Sequence, residues 1–73
     1  MKTDIEITEL TLYKIHEFYD ELGSDERSHL FWMIEEIIEM EDTRKVNRWL
    51  GFIHGQLVAY TSCTVEELRN MIR

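Results

Sequence analysis

The 73-residue chain contains no proline and only three glycines, so its covalent structure permits long helices almost everywhere. It has one cysteine, Cys63, which excludes an intrachain disulfide. A lone thiol suits a reducing compartment. No set of Cys and His has the spacing of zinc ligands, and no glycine loop of the phosphate-binding kind is present, so no cofactor or metal is expected. The longest apolar run, Leu30 to Ile34, has five residues, far short of the ~20 that span a bilayer. The opening Met1-Lys2-Thr3-Asp4 lacks the apolar segment of a secretory signal. The expectation is a chain without a membrane partner that remains in the cytoplasm where it is made. Cations are scarce as well: 8 basic residues against 15 acidic ones leave a net charge of −7. Polymeric DNA or RNA needs a basic footprint and is excluded as a partner. A small anion held by a few local arginines is not excluded, and an acidic surface also suits a basic protein partner.

A domain this short buries only about 60% of the surface its unfolded chain exposes. Small scaffolds gain the missing stability from disulfides, metals or oligomerisation. With the first two excluded, the sequence predicts an all-α, three- to four-helix bundle completed by homo-oligomerisation, with one domain over 1–73.

The apolar spacing predicts four helices, at about 8–22, 25–41, 43–61 and 65–71. In the first, Leu12, Ile15, Tyr19 and Leu22 form one stripe, and Gly23 sits where a C′ glycine would stop it. Thr3 and Glu6 have capping-box spacing and would allow a start as early as Asp4. Ser24 is a candidate N-cap for the second helix, whose Leu30–Ile34 run is apolar on more than one face and predicts burial by more than one neighbour. Its polar remainder is acidic: Glu35, Glu36, Glu39 and Glu41. Asp42 or Thr43 caps the third helix, and a second capping box, Thr64 with Glu67, opens the fourth.

The third helix carries the most information. Val46, Trp49, Leu50, Ile53, Leu57 and Tyr60 form its core stripe, and Arg44, Arg48, Gly51, Gly55 and Ala59 fall opposite. Each mid-helix glycine costs about 1 kcal/mol relative to alanine, so two on one face imply close approach by something a Cβ would block. That neighbour is a crossing helix, a copy of the same helix from another subunit, or a ligand. Arg44 and Arg48 lie on this face near the helix start, where they would pair with Glu39 or Glu41 or form an anion pocket walled by Trp49 or Phe52. Arg69 and Arg73 are four apart, so they either complement the C-terminal dipole of the fourth helix or add anion donors beside Arg48.

The segment Asn47-Arg48-Trp49-Leu50-Gly51-Phe52-Ile53-His54-Gly55-Gln56-Leu57, followed by Thr64-Val65-Glu66-Glu67-Leu68-Arg69-Asn70-Met71-Ile72-Arg73, resembles a family of short accessory proteins of tailed bacteriophages. These share an Arg-Trp-Leu-Gly-Phe-Ile-Gln-Gly core and an acidic tail punctuated by arginines. The chain departs from that pattern at His54, where the family has glutamine. The resemblance covers the C-terminal part of the chain and implies a phage protein acting in the cytoplasm of the infected bacterial host. Small helical phage accessory proteins include inhibitors of host enzymes and oligomeric anti-defence proteins that sequester nucleotide signals of bacterial immunity.

No enzymatic constellation emerges. His16, His29 and His54 have no serine or cysteine partner in triad order, and the di-metal pattern, which needs a Glu-x-x-His on each of two paired helices, is absent. The reading that results is a non-enzymatic homo-oligomer. Its ligand would be a small anionic nucleotide held by Arg44, Arg48, Trp49, Gly51, Gly55, Arg69 and Arg73. The alternatives are an inhibitor that docks on a host protein through the acidic helix face, and a virion or assembly protein.

Overall fold

The computed structural model describes residues 2–73. They form four helices: α1 (Asp4–Glu17), α2 (Ser24–Glu39), α3 (Thr43–Tyr60) and α4 (Val65–Ile72). Among the described residues there is no strand, and no helix is long and apolar enough to cross a membrane.

The all-helical expectation holds, with corrections at the helix ends. α1 starts at Asp4 because the Thr3 hydroxyl accepts from the Glu6 N–H while the Glu6 side chain accepts from the Thr3 N–H. The expected span of about 8–22 is wrong at its end too: α1 stops at Glu17, and a single 3₁₀ turn covers Tyr19–Glu21. The turn is clamped from α2, because Arg27 donates to the Tyr19 carbonyl at 3.3 Å and lies 4.2 Å over the Tyr19 ring. Leu22 then swings into extended backbone and is buried, so no glycine is needed to end the helix. Gly23, with φ −70°, is the N-cap of α2 instead, and Ser24 is its first helical residue. Asp42 caps α3, accepting from the Arg44 N–H at 2.9 Å and the Lys45 N–H at 3.4 Å.

α1 packs on α2 and α3, α2 packs on α3, and α4 lies against α1. The core is one cluster centred on the fully covered Ile15, Leu30, Ile53 and Leu57, with Leu50, Ile34, Ile37 and Leu68 around them. Thr8 and Thr11 are buried beside them without unpaired hydroxyls, donating to the carbonyls of Asp4 and Ile7 at 2.7 Å each. Glu21 ties the α1–α2 connection to the α3–α4 connection, accepting from the Ser62 N–H at 2.8 Å and the Ser62 hydroxyl at 2.9 Å.

Two expected core residues are outside. Tyr19 sits in the 3₁₀ turn against Arg27 and Phe31. Tyr60 stands at the last turn of α3, beyond Leu57, and is 54% exposed. α2 is also less covered than its composition predicts, because only α1 and α3 make extensive contact with it. Trp32 is 47% exposed and Ile38 68% exposed.

Candidate binding grooves

The helix pair α2–α3 forms the first groove. His29, Trp32 and Met33 recur at three- and four-residue spacing on α2, and Arg48, Trp49 and Phe52 do so on α3, so the two sets face one another. They enclose about 470 Å³. The Trp32 and Trp49 rings are 5.7 Å apart at 43°. His29 tilts against Trp32 at 5.8 Å and meets Phe52 edge-on at 6.1 Å. The Lys45 ammonium lies 5.8 Å from the Trp49 ring centroid. Trp49 is therefore half-buried groove wall rather than sealed core.

Arg44 and Arg48 are exposed, one turn apart on α3. The expected ion pairs to Glu39 or Glu41 do not form: among the described residues the one ion pair is Lys14–Glu17, at 3.2 Å. Arg48 thus brings an unneutralised guanidinium fork to the lip of an aromatic groove. Such a lip can take a planar anion, with the rings stacking on its flat part and the fork accepting its charge.

Gly51 and Gly55 lie on the open side of α3. A Cβ built on either meets nothing within 4 Å. A crossing helix of the same chain, one of the three neighbours the glycines suggested, is not there.

α3 and α4 form a smaller groove of about 380 Å³, lined by His54, Gly55, Val58, Ala59, Val65, Leu68, Arg69 and Ile72. Arg69 therefore faces a different groove from Arg48. Arg73 lies just past the end of α4 and donates to the Asn70 side chain at 3.4 Å. The structure brings Arg48 and Trp49 together at one site and Gly55 and Arg69 at another.

His54 is held from behind. The Thr11 hydroxyl has one proton, which goes to the Ile7 carbonyl, so at 2.8 Å it accepts from His54 Nε2–H. This fixes the neutral tautomer, and burial holds the imidazole below its ordinary pKa. Cys63 opens no thiolate chemistry. Burial, then the neighbouring Glu67 carboxylate, push its thiol up to about 11, against the lowering that a helix start would bring. Among the described residues no cluster of three His, Cys, Asp or Glu is placed to hold a metal ion.

His29, Trp32 and Met33 were not among the residues expected at a site. One signal was available: on the α2 wheel Trp32 lies about 150° from the centre of the Leu30, Met33, Ile34 and Ile37 stripe, too far round to share its core.

Between α1 and α2 runs a third groove, of about 680 Å³, with Ile5, Leu12, Ile34, Ile37, Ile38 and Met40 among its lining and Asp4, Glu9 and Glu41 along it. No family model, no curated protein and no solved structure matches the chain.

Proposed function

We propose that this chain is a non-enzymatic binding protein that sequesters a small anionic ligand of the nucleotide type, using copies of itself to close the site. The observation that carries the reading is Arg48, whose fork has no carboxylate partner, beside the aromatic wall of Trp32, Trp49 and Phe52. A base stacks on sequence-tolerant aromatic faces at about 1–3 kcal/mol each. A phosphate pairs with an arginine fork. Arg44, one turn earlier, adds charge at the same end. The net charge of −7 separates this ligand from polymeric nucleic acid.

The groove is open on its solvent side, with Trp32 and Phe52 each about half exposed. A second copy laid along the open Gly51–Gly55 face of α3 would cover the ligand and supply the burial that so short a chain lacks. The resemblance to phage accessory proteins gives the context: a signal of host immunity, bound at an oligomer interface and not turned over.

The test is native mass spectrometry of the protein purified gently from bacteria with an induced immune system, followed by calorimetric titration of mono- and cyclic dinucleotides. A discrete oligomer carrying extra mass in nucleotide-sized steps is expected. Ligand-free protein, together with Arg48→Ala binding every nucleotide as the parent does, overturns the reading.

A further inference from the structure

The groove between α1 and α2 has a different chemistry. Its floor is aliphatic, from Leu12, Ile34, Ile37 and Met40, and Ile5 and Ile38 stand at its edges 73% and 68% exposed. Asp4, Glu9 and Glu41 line it, and none of its lining residues is basic. Glu35 stands one turn before Ile38 on α2, and Glu41 follows just past the end of the helix at Glu39, so the exposed isoleucine has a carboxylate on either side of it along the chain. None of the four acids has a cationic partner among the described residues.

We infer that this groove is a docking site for a basic amphipathic helix of another protein. An aliphatic trough with acidic edges is the complement of a helix that presents apolar side chains at i, i+4 and i+7, flanked by Lys or Arg. The lining runs from the Thr3 cap to Leu12 along α1, and from Ile34 on α2 past the helix end to Glu41, with Thr43 and Val46 of α3 closing one end. At 1.5 Å per residue this accommodates about two to three helical turns. An anionic ligand such as a nucleotide has nothing to pair with there, because the charges on offer are carboxylates alone. A second copy placed symmetrically across the groove would set Asp4, Glu9 and Glu41 against their own counterparts, and each copy carries −7 overall.

The experiment uses the full chain and two labelled helical peptides with the same leucines at i, i+4 and i+7, one flanked by lysines and one by glutamates. Fluorescence anisotropy at low salt should show binding of the lysine peptide alone. The substitution Ile38→Glu and the pair Glu9→Lys with Glu41→Lys should each weaken it by about tenfold, the scale of losing an interface anchor. All three side chains are exposed, and circular dichroism verifies that the helices are kept. Equal binding of both peptides, or of neither, overturns the inference. So does a fall in solution mass of peptide-free Ile38→Glu, which would assign the groove to a second copy. Nucleotide titrations report on the α2–α3 groove independently, so failure of one reading leaves the other standing.

Discussion

The two grooves flanking α2 share a helix and almost nothing else. On one side Trp32 meets Trp49, with Phe52 in the same groove and a free guanidinium at the lip. On the other, Ile38 faces Ile5 across an aliphatic floor with only carboxylates for charge. The first is suited to a flat anion and the second to a cationic helix, though Trp32 and Ile38 are separated by only about a third of a turn around one helix. The difference teaches that net charge describes the molecule poorly. A chain of −7 still offers an anion site where one arginine lacks a partner, because exposed charges act over a screening length of about 8 Å at physiological salt.

The largest perturbation removes what both grooves rest on. Leu57 and Ile53 are fully buried beneath α3, and Leu57→Ala should cost about 2–5 kcal/mol in chemical unfolding, with both binding activities lost together. Arg48→Ala separates the grooves: it should lose about 1.5–3 kcal/mol of nucleotide affinity in calorimetry, the value of one charge-assisted pair, and leave binding of the lysine peptide as it was. Thr11→Val reaches the seam between α1 and α3. It strands the half-buried His54 Nε2–H, and an unfolding midpoint should reveal a loss of about 1 kcal/mol.

The same seam has a pH signature. Burial lowers the His54 pKa, so the unfolded chain takes up its proton first and stability falls as pH drops below the ordinary histidine value of 6.5. Glu6 and Glu67 add a second decline below 4.5, because hydrogen bonds from the Thr3 and Thr64 backbones hold both carboxylates down and that stabilisation is lost on protonation. Unfolding midpoints across pH should show both stages. His54→Gln, which keeps a donor for Thr11, should remove the first and spare the second.

The smallest effect tests the open face of α3. Gly55→Ala meets no neighbour and should raise helix stability by about 1 kcal/mol in dilute protein. Gly55→Leu should instead lower the solution mass at high concentration if a second copy lies on that face. Unchanged mass would detach the glycines from assembly.

The helices were legible because their information is local. Thr3–Glu6 and Thr64–Glu67 are capping boxes readable from four residues each, and the α3 stripe of Val46, Leu50, Ile53 and Leu57 follows from periodicity. The end of α1 was not legible, because Arg27 sets it from another helix. The site was half legible. Arg48 and Trp49 stood out on one helix, but their partners on α2 were hidden inside an apolar run that read as core. Whether Arg69 stands beside Arg48 could not be read from the sequence, because the direction in which α4 packs depends on α1, through contacts no short window contains.

The Trp32–Trp49 pair has an optical consequence. These are the only two tryptophans in the chain, and both line the same groove with ring centroids 5.7 Å apart. Indole emission therefore originates entirely at the candidate site, and two indoles so close couple their electronic transitions. The unlabelled protein reports on the occupancy of one groove by its own near-ultraviolet spectrum, while a peptide in the opposite groove leaves that signal dark.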